Sequence, residues 1–201
     1  MRLLALCGSL RQQSRSRVLL QAMALCLPLG VVLSIHGELG ALPLFNPDLE
    51  SAPPESAVRL WAAVDQADAI VIASPEYAHG VTGTIKNALD WLVGHPPFAG
   101  KPVAVLNPSH RAVHADEALR EILRTMAAAL VDGACLRIPV TACELDAAAL
   151  AQAGPYRGLI DQALGAVRRE VAAGVARPIE HELVAPSGLL QPQPMRVEEN
   201  L

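Results

Sequence analysis

The chain of 201 residues carries a formal net charge of −4, and 52% of its residues are hydrophobic whereas 18% are charged. A chain of this length and composition can bury one substantial core, which excludes an intrinsically disordered protein and favours a single compact domain. The mild negative charge provides no general attraction to nucleic acid or to an anionic membrane, so we expect neither as a partner.

The cysteines and the apolar segments bear on where the protein works. Four cysteines, Cys7, Cys26, Cys135 and Cys143, form no Cys-x-x-Cys pair, and three of them lie in apolar segments, so we expect no disulfide framework. The apolar start of the chain is interrupted at Gly8 before it reaches the length of a signal-peptide core, and no apolar stretch is long enough to span a bilayer. We therefore predict a cytoplasmic protein.

Short apolar runs alternate with segments of helical periodicity along most of the chain. Strands are predicted at residues 3–7, 31–35, 68–73, 101–106 and 134–140. Helices are predicted at residues 14–27, 55–66, 84–93, 116–130 and 155–173, and residues 37–54 are predicted to form a long surface loop. This alternation favours an α/β protein in which helices cover both faces of a parallel, five-stranded sheet with right-handed crossovers.

The end of the chain differs in character from the rest. Residues 176–201 contain four prolines and show no sustained periodicity. We interpret them as a Pro-containing C-terminal extension that is either loosely ordered or laid across a neighbouring subunit, attached to a domain of residues 1–175.

The loop after the first predicted strand has the composition of a phosphate site. The start of a helix offers free backbone N–H groups and the positive end of the helix dipole. The hydroxyls of Ser9, Ser14 and Ser16 could add hydrogen-bond donors, and Arg11 could add charge. The segment matches neither a Walker A loop nor Gly-x-Gly-x-x-Gly, and it suits the terminal phosphate of a mononucleotide. Alternatively, Ser14 or Ser16 only caps the helix and the arginines are solvated.

The loop after the third predicted strand has the features of a site for a flat ring. Pro75 stiffens the exit from the strand, Tyr77 offers an aromatic face or a hydroxyl, and Gly80 and Gly83 allow the backbone to approach a ligand closely. Backbone groups in such a loop can hydrogen-bond the edge of a heterocycle. Parallel α/β sheets bind ligands at this end of their strands.

Together these segments resemble a known family. The sequences Gly-Ser-Leu-Arg at 8–11, Ser-Pro-Glu-Tyr at 74–77 and Gly-Thr-Ile-Lys-Asn-Ala-Leu-Asp-Trp at 83–91 are similar to those of the NADPH-dependent FMN reductases, which include chromate, quinone and azo-dye reductases. The resemblance covers roughly residues 1–170. It implies a flavodoxin-like doubly wound α/β/α fold, FMN and NADPH (or NADH) as cofactors, and a homodimer or homotetramer. It also implies that no side chain serves as a covalent catalyst, because the flavin carries the chemistry.

The resemblance also implies which residues bind the cofactor. The phosphate would be held by Ser9, Arg11, Ser14, Ser16 and Arg17, and the isoalloxazine ring by Pro75, Glu76, Tyr77, Ala78, His79 and Gly80. With the sheet wound as predicted, the loop after the fourth strand faces the same crevice, so Ser109, His110 and Arg111 are candidates to contact the pyrimidine edge of the flavin or a phosphate of an incoming nicotinamide nucleotide. That third loop could instead be a solvated segment with a helix cap at Asp116. The histidines have no ligand set at a recognisable spacing, so we expect no metal site.

Several positions depart from the family's pattern. Ser16 and Ala78 stand where the family usually has asparagine, Thr82 replaces a frequent proline, and residues 107–114 lack a glycine-rich run.

The predicted function is that of an FMN-dependent NAD(P)H oxidoreductase. NAD(P)H donates a hydride to the flavin and leaves, and a small acceptor such as a quinone, free flavin, azo compound or chromate-like oxyanion then takes the electrons. Two alternatives remain, namely a non-catalytic flavin-binding module for electron transfer or regulation, and a family member that has lost FMN.

Overall fold

The structure of the protein is a computed structural model that describes residues 1–141 and 146–175. The predicted C-terminal extension at 176–201 and the residue Cys143 lie outside the described residues. Cys7, Cys26 and Cys135 are buried free thiols. Within the described ranges, no helix combines the length and the hydropathy needed to cross a membrane.

The predicted strands and helices occur in the predicted order, with additional short elements between them. The strands are β1 Arg2–Cys7, β2 Val32–Ile35, β3 Ala69–Ala73, β4 Glu76–Tyr77, β5 Gly80–Val81, β6 Pro102–Asn107, β7 Ala129–Leu130 and β8 Leu136–Arg137. The helices are α1 Arg15–Leu25, α2 Glu55–Gln66, α3 Gly83–Val93, α4 His114–Thr125, α5 Ala147–Gln152 and α6 Gly154–Val175, with short 3-10 turns at Leu39–Ala41, Pro47–Leu49, Pro96–Phe98 and Asp132–Ala134.

The main sheet is parallel and has the order β2-β1-β3-β6-β7, with β8 also paired to β6. The short strand β7 pairs with the start of β6 and β8 pairs with its end, so the two share one edge position on either side of the turn Asp132–Ala134. The sheet therefore has five strand positions, and its order is that of a doubly wound, flavodoxin-like fold. This confirms the predicted fold class.

Helices cover both faces of the sheet, which explains why its central strands are apolar throughout. In β1, Leu3 and Ala5 belong to one buried cluster with residues of α1, α5 and α6, whereas Leu4 and Leu6 belong to a second cluster with residues of α2, α3 and α4. All five residues of β3 are buried. A strand between two helical layers has no solvent-facing side, so polar residues find no favourable position in it.

The end of α4 differs from the sequence-based prediction. We predicted a helix to Leu130, but α4 ends at Thr125 and Ala127 has a φ of 56°. The N–H of Ala128 donates to the carbonyl of Leu123 and the N–H of Ala127 to that of Arg124, each at 2.9 Å. These are the two bonds of a Schellman motif, with alanine where glycine is usual. The chain leaves the helix there, and Ala129–Leu130 becomes strand β7.

Two other segments differ from the prediction. The fifth strand was predicted at 134–140 but consists only of Leu136–Arg137, and the six-residue helix α5 was not predicted at all. The segment 37–54 is a loop with two short turns, as expected, although Leu39 and Leu42 are buried in the core. Asn87 of α3 holds this loop, because its side chain accepts from the N–H of Phe45 at 2.8 Å and donates to the carbonyl of Pro43 at 2.9 Å.

Candidate functional site

A cavity of about 550 Å³ opens where β1, β3 and β6 end. This first cavity is lined by Ser9, Arg11, Gln13, Ser14, Arg15, Ser16, Pro75, Glu76, Tyr77, Pro108, Ser109, Arg111 and Ala112. Its walls come from the three loops that follow those strands, which is where a doubly wound sheet binds ligands. Its volume lies within the range of about 300–1,000 Å³ that is usual for small-molecule sites.

Eight of the twelve predicted cofactor residues line this cavity, and four do not. The eight come from all three loops, namely Ser9, Arg11, Ser14, Ser16, Pro75, Glu76, Tyr77 and Ser109. The other four, which are absent from the lining, are Arg17, Ala78, His79 and Gly80. The cavity thus brings together the predicted phosphate loop and the predicted ring loop, while the tip of the second loop lies outside it.

The start of α1 forms one wall of the cavity and offers hydrogen-bond donors to it. Ser14 is the N-cap of α1, and its hydroxyl accepts from the N–H of Arg17 at 3.2 Å. Ser14 therefore caps α1 and also lines the cavity. Ser16 behaves differently, because its Oγ is buried and has no hydrogen-bond partner in the part of the chain that the structure describes. A buried hydroxyl without a partner is costly, and an anion oxygen at this wall would satisfy it.

Gly8 lets the first two loops meet. Its N–H donates to the carbonyl of Ala73 at 2.8 Å, which continues the β1–β3 ladder. A Cβ at this position would lie 2.2 Å from Oγ of Ser74 and 2.9 Å from Cγ1 of Ile85. These distances are too short for any side chain, so glycine is required for the close approach of the two loops.

The second loop is a β-hairpin with a two-residue turn. Strand β4 pairs antiparallel with β5, and Ala78 and His79 between them have φ values of 48° and 59°. Positive φ at both central residues defines a type I′ turn, for which Asn-Gly is the preferred sequence. This gives a backbone reason why asparagine is usual at position 78, since asparagine tolerates this conformation better than alanine. The ring of His79 stacks on His114, with centroids 4.6 Å apart.

The carboxylate of Glu76 has a structural partner. Its Oε2 accepts from the N–H of Ala115 at 2.8 Å, in the first turn of α4. This places a negative charge at the positive end of the helix and ties the hairpin to α4. The predicted cap at Asp116 is wrong, because Asp116 lies inside the helix and accepts from Arg120 at 3.0 Å. Glu76 lines the cavity and also caps the helix.

The third loop is shaped by a buried asparagine. The side chain of Asn107 accepts from the N–H of Ser109 at 3.0 Å and donates to the carbonyl of Ala112 at 2.6 Å. The hydroxyl of Ser109 in turn accepts from the N–H of Arg111 at 3.1 Å. These bonds fix the loop without the glycine-rich run that the family often has.

Five residues of the lining are absent from the predicted set, namely Gln13, Arg15, Pro108, Arg111 and Ala112. Gln13 and Arg15 lie within the predicted phosphate loop, so their position in that loop was sufficient reason to include them in the predicted site. Arg111 follows Ser109 in the third loop and was considered with it. Pro108 and Ala112 give no chemical signal, because only the path of the folded loop turns them toward the cavity.

Comparison with known proteins identifies the chain. The model of the NADPH-dependent FMN reductase family matches residues 1–140. The chain belongs to this family. Membership makes the protein an oxidoreductase that uses FMN and NAD(P)H as cofactors.

The chain is also similar to individual proteins. A quinone reductase of Pseudomonas putida is 36% identical over 141 residues, which cover 66% of this chain and 72% of that protein. An NAD(P)H-dependent FMN reductase of Pseudomonas aeruginosa is 34% identical over 111 residues, which cover 54% of this chain and 60% of that protein. Among solved structures, the flavoenzyme FerB of Paracoccus denitrificans superposes with a TM-score of 0.68 at 24% identity, covering 84% of this chain and 98% of FerB, which supports the fold.

The residues of the first cavity fit the FMN of this family. The unpartnered Oγ of Ser16, the first-turn N–H groups of α1 and the guanidinium of Arg11 suit a phosphate. The hairpin and the third loop supply an aromatic side chain, Tyr77, and backbone polar groups for a ring system. The donor set therefore agrees with a phosphorylated, planar ligand.

Proposed function

We propose that this enzyme transfers a hydride from NAD(P)H to a small quinone by way of FMN held in the first cavity. The observation that carries the proposal is that eight predicted cofactor residues from three separate loops line one cavity at the carboxyl edge of the sheet. The overall reaction is NAD(P)H + H⁺ + quinone giving NAD(P)⁺ + hydroquinone. Bound FMN supplies the chemistry, because its ring can accept a hydride from one partner and give it to another.

The protein's own residues would bind and orient the cofactor. Ser16 and Arg11 would hold the phosphate at the start of α1, where the helix dipole favours an anion. Strand β4 and the third loop would surround the ring, and Pro75 and Tyr77 would shield one side of it from water. Glu76 keeps the hairpin against α4 through its bond to the N–H of Ala115. No side chain needs to form a covalent bond to substrate.

We propose a quinone as the electron acceptor because of the names of the similar proteins. The proteins named quinone reductase from Pseudomonas putida and Escherichia coli are 36% and 33% identical to this chain over the matched residues. Free flavin, azo compounds and chromate-like oxyanions remain candidates for the same two electrons. We also retain the predictions of a cytoplasmic location and of a homodimer or homotetramer.

One experiment tests the reaction. The purified protein is incubated with FMN, freed of excess flavin, and assayed for oxidation of NADPH and NADH at 340 nm with and without benzoquinone. We expect one FMN per chain by its visible spectrum and hydroquinone formed in equal amount to the nucleotide consumed. A protein that retains no flavin contradicts the proposal.

The same assay separates the alternative. A protein that binds FMN but oxidises neither nucleotide would be a flavin-binding module for electron transfer or regulation. The variant Arg124→Gln is a suitable control, because Arg124 lies on the exposed side of α4 and does not line the cavity.

A further inference from the structure

A second cavity of about 340 Å³ opens beside the first. It is lined by Arg15, Pro108, Ser109, His110, Arg111, Pro139, Val140 and Thr141. Four of these residues, Arg15, Pro108, Ser109 and Arg111, also line the first cavity. The two cavities therefore share a wall, and a ligand longer than FMN could occupy the second while reaching into the first.

The charge around the second cavity is positive. Arg15 and Arg111 contribute guanidinium groups and His110 an imidazole, and no acidic residue is among the lining. Within residues 1–141 and 146–175, neither Arg15 nor Arg111 forms an ion pair, whereas Arg59 and Arg120 do. Two guanidinium groups without a protein carboxylate are available to an external anion.

The loop that carries Arg111 is held in place from inside. Asn107 is buried and bonds both Ser109 and Ala112, so the residues between them are fixed at both ends. The opposite wall is joined to the same loop, because the N–H of Val140 donates to the carbonyl of Pro108 at 3.1 Å. A fixed loop costs less conformational entropy when an anion binds to it.

We propose that the second cavity binds the 2′-phosphate of NADPH and that Arg15 and Arg111 thereby select NADPH over NADH. This inference rests on the proposed function, since it requires the nicotinamide to reach a flavin in the first cavity. The 2′-phosphate lies on the adenosine, at the other end of the dinucleotide, so it needs an anion site beside the flavin site. It is the only group by which NADPH differs from NADH. A phosphomonoester is a dianion near neutral pH and accepts paired hydrogen bonds from arginine.

The phosphate of FMN is a competing ligand for the same arginines. The FMN phosphate has other binding groups at the start of α1, because Arg11 and the unpartnered Ser16 line the first cavity and not the second. Conversely, His110 lines the second cavity and not the first. Arg11 and Ser16 thus line the first cavity only, His110 lines the second only, and Arg15 and Arg111 lie on the wall that the two cavities share.

Nucleotide preference provides the first test. The ratio of kcat/KM for NADPH to kcat/KM for NADH is measured for the FMN-loaded wild type, Arg15→Gln, Arg111→Gln and the control Arg124→Gln. We expect the wild type to prefer NADPH, and each single variant of the second cavity to lower the ratio about tenfold, as loss of one hydrogen bond to a charged group does. The control should keep the wild-type ratio.

Binding provides a second readout that needs no turnover. Adenosine 2′,5′-bisphosphate and adenosine 5′-monophosphate, which differ only in the 2′-phosphate, are titrated into the full-length protein by calorimetry, with FMN bound. We expect the bisphosphate to bind about tenfold more tightly or better, and the difference to shrink in Arg111→Gln. Because Arg15 and Arg111 also line the first cavity, FMN affinity is measured in both variants, and an unchanged affinity would support their assignment to the second cavity.

The outcomes distinguish this inference from the proposed function. Three results would each overturn the inference while leaving the reaction intact. They are equal use of NADPH and NADH by the wild type, an equal loss of kcat/KM with both nucleotides in the variants, and variants that lose FMN affinity but keep the NADPH preference. Failure of the wild type to oxidise either nucleotide would overturn the proposed function. The calorimetric titration would then test by itself whether the second cavity binds a 2′-phosphate.

Discussion

Gly8 joins the two ligand loops at a distance that excludes any side chain. In Gly8→Ala the new Cβ would lie 2.6 Å from Cβ of Ser74 and 2.9 Å from Cγ1 of Ile85, so the two loops must separate. We expect the free energy of unfolding to fall by about 1–3 kcal/mol, which is the usual cost of overpacking a core. FMN affinity should fall with it, because both loops line the first cavity. Urea unfolding and flavin titration measure the two effects.

Gly158 provides the matched control for this substitution. It lies in α6, and an added Cβ would meet no atom within 4 Å. Gly158→Ala should therefore raise the free energy of unfolding by about 0.5–1 kcal/mol, as expected when alanine replaces glycine in a helix. If Gly8→Ala were as stable as the wild type, the close contact between the loops would not exist in solution.

Ala78 is strained by the turn that it occupies. Its φ of 48° is a conformation that asparagine and glycine adopt more readily, and the residue is exposed. We expect Ala78→Asn to stabilise the protein by about 0.5–1 kcal/mol and the β-branched Ala78→Val to destabilise it by at least about 1 kcal/mol. Thermal unfolding of the three proteins checks this. Equal melting temperatures for the Asn and Val variants would show that the hairpin turn has another form.

At the level of the elements, the end of β2 contributes a partly buried histidine. His36 extends the ladder by donating its N–H to the carbonyl of Ala5 at 2.9 Å, and its Nε2 is buried without a partner in the described ranges. Burial lowers the pKa of His36, and Arg59 lowers it further, although Glu38 acts in the opposite direction. The folded protein therefore disfavours the charged imidazole.

The sign of the pH effect follows from this lowered pKa. Below a pH of about 6.5 the unfolded chain binds a proton at His36 that the folded protein resists, so stability falls as the pH decreases. Above that pH the free energy of unfolding should keep its full value, because the unfolded chain no longer gains a proton at His36. We expect the free energy of unfolding to decrease less between pH 7.5 and pH 5 in His36→Gln than in the wild type. Parallel curves for the two proteins would contradict the argument.

Element boundaries show what sequence alone can provide. The ends of α2 were predicted correctly, since Pro54 precedes the helix and its apolar spacing is regular. The end of α4 was not, because Ala127 adopts a left-handed conformation that no glycine or asparagine announces. The helix α5 has six residues, which is too short for a helical period to be recognised. In these places tertiary pairing and packing decide the structure.

At the scale of the whole molecule, the candidate site was predictable because its parts follow strands. The phosphate loop and the ring loop each come directly after a buried apolar run, and parallel strands bring their carboxyl ends to one edge. The sequence could not show that Glu76 caps α4 or that Arg15 and Arg111 face a second cavity. These features depend on contacts between loops that are 30 to 100 residues apart in the chain, and no local pattern records them. The division at residue 175 remains a prediction.

In the proposed function, the start of α1 binds the phosphate of FMN. The most direct measurement compares the dissociation constants of FMN and riboflavin, which lacks the phosphate, by quenching of flavin fluorescence in the wild type and Ser16→Ala. We expect the wild type to bind FMN at least about 100-fold more tightly than riboflavin. Loss of the Ser16 hydroxyl should reduce that difference about tenfold. Equal affinity of the wild type for FMN and riboflavin would show that the start of α1 does not bind the phosphate.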